Sequence, residues 1–299
     1  MRKPWVVGVL LTGVVLGGCG DPASAPGEPA PAAPRASAPT HQRAPASPAP
    51  EPRRAPRVLY LGDSLAMESQ KVLGQELRRA LKARYTAAPY SGTTLCDYLE
   101  GTADRSLVPA ADKAAALVRR LRPDIVVLQF WGNSWGYTPC MDGITHDTSP
   151  ARYFGRYEAD ARRLTEQIAA AGGGDRPRIV WVSQGPDPIS PERVRRVNAL
   201  YAKRAAASGD LVADAGKAVS PATGRYTWTQ YLPCTAHERA HPGLCTQPGR
   251  DRTALHRDDD YLHFCLAPTT SRPKPCPARS PGILRIAREI TKTIRQAAR

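Results

Sequence analysis

Short apolar segments alternate with longer segments of helical periodicity from residue 57 to residue 298. Apolar strands that alternate with amphipathic helices are typical of a parallel sheet covered by helices on both faces, so the pattern predicts an α/β fold. The predicted strands are 57–62, 84–90, 124–131, 178–184 and 211–214, and the predicted helices are 65–83, 110–121, 150–171, 191–208 and 281–298. We therefore assign residues 57–299 to one folded domain.

The first 19 residues have the pattern of a lipoprotein signal peptide. Arg2 and Lys3 precede an apolar run from Trp5 to Leu16, which is shorter than the ~20 residues of a membrane-spanning helix. The run ends in LGGC, which resembles a bacterial lipobox with Cys19 as the lipidated residue. We expect an exported lipoprotein, anchored in the cell membrane and facing its extracytoplasmic side. An uncleaved anchor, or an ordinary signal peptide with a chance cysteine, is the alternative.

Residues 20–56 are rich in Pro, Ala and Ser and contain no Val, Ile, Leu or aromatic residue. Such a segment cannot form an apolar core, and its frequent prolines favour extended conformations. We predict a disordered, semi-rigid linker between the lipid and the folded domain.

The chain carries a formal net charge of +15, from 42 Lys and Arg against 27 Asp and Glu. Its arginines are scattered over the linker and the helices without interleaved aromatic residues or a nucleic-acid-binding motif, so no nucleic-acid partner is expected. Attraction to anionic lipid or wall polymer, and a plain compositional bias, both remain open as explanations.

The sequence RVLYLGDSLAMES places Ser64 directly after the first strand. In open α/β sheets the ligand site lies beyond the carboxyl ends of the strands, and the first turn of the following helix favours a nearby negative charge. Ser64 is therefore a candidate nucleophile. The alternative is that Asp63 or Ser64 only caps the helix, since both residue types are preferred at N-caps.

A serine nucleophile needs a base, and the base needs a third group that orients it. In DDDYLHFC, Asp260 stands three residues before His263, between the last strand and the last helix. A carboxylate at this spacing can bind one ring nitrogen while the other ring nitrogen faces the serine. No such aspartate was found for the other candidate histidines, which are His146, His237, His241 and His256.

With GDSL near its start and DxxH near its end, the segment 57–298 resembles the SGNH, or GDSL, hydrolase superfamily. The resemblance implies a flavodoxin-like three-layer α/β/α fold and ester hydrolysis or acyl transfer through a serine. It assigns Ser64 as the nucleophile, His263 as the base and Asp260 as the orienting group.

The same resemblance implies an oxyanion hole formed by the N–H of Ser64, Gly92 and Asn133. Donors at these places would stabilise the negative charge of a tetrahedral intermediate. The N–H of Thr93 is the alternative to Gly92. The family block G-x-N-D is altered here, because Gly132 directly precedes Asn133 and a serine replaces the aspartate. Asn133 could instead hold the strand end by hydrogen bonds.

Six of the seven cysteines remain after Cys19 is assigned to lipidation, and an even number in an oxidising compartment predicts disulfides. Six cysteines allow 15 pairings. We favour pairs of neighbours, which are Cys96–Cys140, Cys234–Cys245 and Cys265–Cys276.

A zinc site is the alternative for part of this set, because CTAHERAHPGLC spaces Cys234, His237, His241 and Cys245 like a Cys2His2 site. Exported thiols tend to be oxidised, so we predict no metal and no cofactor.

Together these features predict a monomeric, surface-tethered serine esterase that acts through an acyl-enzyme on ester-linked acyl groups, preferably those of cell-envelope glycans. A lipid esterase or an O-acyltransferase is the alternative within enzymes, and an inactive glycan-binding module is the alternative outside them. Residues 220–280 are predicted to be an insertion that walls the site near His263.

Overall fold

The computed structural model describes residues 54–131, 138–224, 226–268, 270, 272 and 274–297. The predicted signal peptide with Cys19, nearly all of the predicted linker, and Asn133 lie outside these residues. Within the described ranges, no helix has both the length and the apolar character required to cross a membrane.

The described residues form seven strands and seven α-helices. The strands are β1 (Arg57–Gly62), β2 (Arg84–Ala87), β3 (Ile125–Gln129), β4 (Arg178–Val182), β5 (Leu211–Ala213), β6 (Tyr231–Pro233) and β7 (Arg252–Ala254). The helices are α1 (Ser64–Leu81), α2 (Ala114–Leu121), α3 (Pro150–Gly172), α4 (Pro191–Ser208), α5 (Ala215–Ala218), α6 (Ala236–Ala240) and α7 (Pro281–Ala297).

The main sheet has five parallel strands in the order β2-β1-β3-β4-β5, which is the flavodoxin-like order. The predicted fold class is thereby confirmed. Strands β6 and β7 form a separate antiparallel pair within the predicted insertion. Because β1 lies between β2 and β3, the loops that follow these two strands flank its carboxyl end.

Two apolar layers cover the sheet, one on each face. Leu59 and Leu61 of β1 pack with side chains of α2, α3 and α4, whereas Val58 and Tyr60 pack with α1 and α7. Successive residues of a strand point to opposite faces, so each buried strand serves both layers. Each fully buried side chain of this kind contributes roughly 1.5–3 kcal/mol to stability.

Helix α2 begins at Ala114 and not at residue 110 as the periodicity predicts. The preceding residues form a separate 3-10 turn, Ala110–Asp112, and Lys113 has an extended backbone with φ −61° and ψ 147°. The Lys113 ammonium group is buried and donates to the carbonyl oxygen of Asp97 at 2.5 Å. This tertiary contact accompanies the break in the predicted helix.

Candidate active site

The turn between β1 and α1 presents Ser64 at the carboxyl end of the sheet. Glycine is required at position 62, just before this turn, because a Cβ atom there would lie 2.0 Å from the carbonyl oxygen of Gln129 in β3. Asp63 is the N-cap of α1, and its side chain accepts the N–H of Leu65 at 3.0 Å. The capping role therefore belongs to Asp63, and Ser64 is the first residue of the helix.

Asp63 also ties this turn to the neighbouring strand end. Its buried carboxylate accepts the N–H of Trp131 at 2.6 Å, and its own N–H donates to the Gln129 carbonyl at 3.2 Å. Burial raises the pKa of Asp63 to about 7, although the hydrogen bonds from the N–H groups of Trp131 and Leu65 oppose the rise. The position of Ser64 is thus fixed from both β1 and β3.

Ser64, His263 and Asp260 form a continuous chain of hydrogen bonds. His263 Nε2 lies 3.0 Å from Ser64 Oγ, and His263 Nδ1 lies 2.9 Å from Asp260 Oδ2. The Oδ1 atom of Asp260 accepts the backbone N–H groups of Leu262 at 3.1 Å and of His263 at 3.0 Å. The carboxylate is therefore held on both oxygens, and it orients the imidazole toward the serine.

The pKa values of the pair are displaced in the directions that general-base chemistry requires. Burial opposes the charged form of Asp260, but the hydrogen bonds from His263 and the nearby backbone hold the pKa of this carboxyl well below its usual range. Burial also lowers the pKa of His263, but the Asp260 hydrogen bond and the charge of Glu68 raise it overall above the usual value of a histidine. An imidazolium formed at His263 is therefore stabilised by its surroundings.

Asp260→Asn is expected to lower kcat by about 10³- to 10⁴-fold, less than removal of Ser64 or His263, because the amide can donate to Nδ1 and hold the wrong imidazole tautomer. The measurement is kcat on a short-chain ester. Asp259→Asn is the matched control, because its carboxylate pairs with Arg257 at the surface. A larger loss in Asp259→Asn than in Asp260→Asn would show that Asp259, and not Asp260, orients the histidine.

The loop after β2 reaches the same edge of the sheet. Ser91 lines the cleft together with Ser64, and Gly92 follows it with a φ of +77°, a conformation that favours glycine. Thr93 is buried, and its hydroxyl lies 3.3 Å from the carbonyl oxygen of Gly62. Gly92 therefore lies near the turn that carries Ser64. Its role as an oxyanion donor, and that of Asn133, stay predictions.

A disulfide and a buried carboxylate connect the loops that follow β2 and β3. Cys96 and Cys140 are bonded, with their Cα atoms 6.0 Å apart. Next to this bond, Thr138 donates its hydroxyl proton to Asp97 Oδ1 at 2.7 Å. Asp97 is fully buried and also accepts the N–H of Leu107 at 2.9 Å. The two loops that flank the end of β1 are thus held to one another.

Breaking this disulfide in Cys96→Ser/Cys140→Ser is expected to lower kcat by about 10- to 100-fold, because small misplacements of catalytic groups are costly. The measurements are kcat and the melting temperature. Cys234→Ser/Cys245→Ser, which removes a disulfide of the insertion, is the control and should lower the melting temperature with little change in kcat. Undiminished kcat in the first double variant would limit the Cys96–Cys140 bond to a structural role.

All six cysteines of the folded domain are paired as neighbours. Besides Cys96–Cys140, the structure contains Cys234–Cys245 and Cys265–Cys276, which are the pairs favoured from the sequence. The zinc alternative required free thiolates at Cys234 and Cys245, and these two sulfurs are bonded to one another. Neither sulfur is therefore free to act as a thiolate ligand in this structure.

The cleft beside Ser64 has a volume of about 160 Å³. Its far wall comes from the predicted insertion, which includes His263 and the segment that follows it. The wall residues are Arg257, Ala267, Pro268, Thr270, Arg272, Lys274, Cys276 and Pro277. The insertion thus adjoins the site as the sequence predicts.

Two residues of the site were missed by the sequence reasoning. Glu68 lines the cleft from α1 although it is nearly fully buried, and its signal in the sequence is a carboxylate on the apolar face of an amphipathic helix. His256 is buried beneath the loop of His263, and its Nδ1 lies 2.9 Å from the His263 carbonyl oxygen. Nothing in the sequence distinguishes His256 from His146, His237 and His241.

Comparisons with known proteins give matches in structure only. No family model matches the chain, and no curated protein sequence matches it. The similar solved structures include a lipolytic protein of the G-D-S-L family from Desulfitobacterium hafniense DCB-2, at 12% identity and a TM-score of 0.45 over 79% of this chain and 98% of that one. A family 3 carbohydrate esterase from Clostridium thermocellum has 12% identity and a TM-score of 0.45 over 82% and 98%. A family two carbohydrate esterase from Cellvibrio japonicus has 14% identity and a TM-score of 0.41 over 82% and 63%.

Proposed function

We propose that this protein is a serine-dependent carboxylic ester hydrolase of the SGNH superfamily. The observation that supports the proposal is the hydrogen-bonded chain from Asp260 through His263 to Ser64 at the carboxyl end of β1. A serine, a histidine and an aspartate in this order are the arrangement that activates a hydroxyl for attack on an acyl carbon. The DxxH motif supplies the aspartate and the histidine, and the GDSL turn supplies the serine.

In the proposed reaction, Ser64 Oγ attacks the ester carbonyl carbon while its proton passes to His263 Nε2. Asp260 stabilises the imidazolium, and the N–H of Ser64 at the start of α1 faces the developing negative charge. The intermediate collapses, the C–O bond to the alcohol breaks, and the alcohol takes the proton from Nε2. Water then attacks the acyl-serine with His263 again as base, which releases the acid and restores Ser64.

Short acyl groups on a glycan are the substrate that we propose. The cleft is small, and its apolar lining includes Met67, Ala267 and Pro268. Exposed cations, Arg272 and Lys274, stand on the same cleft. A pocket of this small volume, with two exposed cations on it, suits an acetyl or similar group on a hydrophilic carrier better than a long alkyl chain.

Esters of graded acyl length test this proposal against its alternatives. We expect Ser64-dependent hydrolysis that is fastest for acetyl esters and falls from butyryl to octanoyl, and release of acetate from an acetylated polysaccharide. Fastest hydrolysis of the octanoyl ester would favour a lipid esterase. Transfer of the acyl group to an added sugar in preference to water would favour an acyltransferase. No turnover of any ester would leave the glycan-binding module as the better proposal.

Attachment to the membrane through Cys19 is part of the proposal and is supported by the LGGC sequence. Cys19→Ser is expected to move the protein from the membrane fraction to the soluble fraction while its specific activity is retained, because the lipid is attached through that thiol. Cell fractionation measures where the protein is found, and an ester assay on each fraction measures its specific activity. A mature N-terminus at another residue, without lipid in its mass spectrum, would contradict the anchor and leave the catalytic proposal intact.

A further inference from the structure

Glu68 connects the helix of the proposed nucleophile to the backbone that follows the proposed base. It lies one turn after Ser64 on α1 and is only 5% exposed. Its Oε1 accepts the N–H of Phe264 at 2.9 Å, and its Oε2 accepts the N–H of Cys265 at 3.1 Å. Its carbonyl oxygen accepts the N–H of Cys276, the disulfide partner of Cys265, at 3.1 Å. Glu68 thus holds both ends of the disulfide-closed loop that walls the cleft.

The backbone of His263 is held by other side chains as well. Its N–H donates to Asp260 Oδ1 at 3.0 Å, and its carbonyl oxygen lies 2.9 Å from His256 Nδ1. Glu68 fixes the next two N–H groups along the chain, and it does so from the same helix as Ser64. Because His263 and Ser64 are 199 residues apart in the sequence, their separation depends on such contacts between α1 and the histidine loop.

We propose that Glu68 is a positioning residue for the reaction, whose carboxylate holds His263 Nε2 at hydrogen-bonding distance from Ser64 Oγ. The inference rests on the proposed function. Hydrogen bonds to an ionised acceptor are roughly twice as strong as neutral ones, which suits a carboxylate to this task. A displacement of about 1 Å at a reacting group can cost roughly 100-fold in rate.

A purely structural role is the competing explanation, because two buried N–H groups need acceptors in any case. Burial raises the pKa of Glu68 to about 7, while the charge on His263 and the two N–H groups lower it. Both carboxylate oxygens accept N–H protons, a geometry that fits the ionised form. The charge of Glu68 in turn raises the pKa of His263. If Glu68 had a structural role alone, the pH dependence of the rate would not change when this charge is removed.

Several charged or titratable groups surround His263 and must be considered in any pH measurement. They are Asp260, His256 and Arg257 on its own loop, Asp63 and Glu68 at the start of α1, and Arg272 and Lys274 on the far wall of the cleft. A variant that changes Glu68 alone leaves all the others in place.

Glu68→Gln is the test, because the amide has the same size but no charge and can accept only one of the two N–H groups with its oxygen. We expect kcat on a short-chain ester to fall by about 10- to 100-fold with KM changed less than twofold. The acid limb of kcat/KM should also move to lower pH, because the charge that raises the pKa of His263 is lost. Glu68→Asp retains the charge and should keep the acid limb near its wild-type position while kcat stays low.

Glu76→Gln is the matched control on the same helix, where the carboxylate pairs with Arg79 and Arg288 outside the cleft. It should leave kcat and the acid limb unchanged.

The inference would be overturned if Glu68→Gln kept the wild-type kcat and the wild-type acid limb and only its melting temperature were lower. If Glu68→Gln does not fold, wild-type kcat in Glu68→Asp would overturn it and a reduced kcat would support it. Ser64→Ala in the same assay separates the two failures, because activity retained there contradicts the proposed function itself.

Discussion

Ser64→Ala is expected to lower kcat for ester hydrolysis by at least about 10⁴-fold while the protein stays folded. The substitution removes the attacking oxygen and with it the acyl-enzyme route. It should cost little stability, because Asp63 and not Ser64 caps α1 and alanine is the best helix former. The measurements are kcat on a short-chain ester and the melting temperature of the same preparation.

Ser208→Ala is the control for this experiment. Ser208 is the last residue of α4, and its hydroxyl donates a hydrogen bond to Asp210, which precedes β5. It therefore lies at the amino end of β5, whereas the cleft lies at the carboxyl ends of the strands. Its removal should leave kcat unchanged. Turnover in Ser64→Ala at the wild-type rate would show that another residue, or a different chemistry, performs the hydrolysis.

His263→Ala is expected to cause a loss of kcat similar to that of Ser64→Ala, and the double variant should be hardly worse than either single one, because nucleophile and base act as a unit.

In the wild type, kcat/KM should fall about tenfold per pH unit below the pKa of His263, since only the neutral imidazole accepts the serine proton. The surroundings of His263 raise its pKa above the ordinary value of a histidine, so the acid limb should lie at higher pH than that of an unperturbed imidazole. Residual activity in His263→Ala should lack this limb.

His146→Ala is the control for the histidine. Its ring packs edge-on against Tyr153 and Phe154 and does not line the cleft. We expect kcat and the pH profile to stay as in the wild type. If the double variant Ser64→Ala/His263→Ala lost as much kcat as the two single losses multiplied together, the two residues would not act in the same step.

The layered fold could be predicted from the sequence because its signal is local. The buried strands are apolar runs bounded by polar residues, and β1 and the start of β4 lie where periodicity places them. The order of the strands came from the resemblance, since periodicity does not specify which strands are neighbours. The predicted start of the second helix at residue 110 is wrong, and the tertiary contact of the buried Lys113 ammonium group that accompanies the break is not visible in the periodicity.

The site could be predicted only where its residues have a recognisable spacing. Asp260 and His263 are three residues apart and Ser64 stands at the end of a strand, and the structure brings these three together. Glu68 could not be assigned, because its partners are backbone N–H groups nearly 200 residues away, which no side-chain pattern reveals. Asn133 lies outside the described residues, so its place in the site stays a prediction.

The central claim is that His263 and Asp260 activate Ser64 as a nucleophile, and covalent labelling tests it most directly. A fluorophosphonate reacts with an activated serine, which displaces fluoride and keeps the phosphonyl group on Oγ. We predict stoichiometric labelling of the folded protein, mapped by mass spectrometry to Ser64, with no labelling in Ser64→Ala and little in His263→Ala. Failure of the folded wild-type protein to react, or a label on any residue other than Ser64, would contradict the claim.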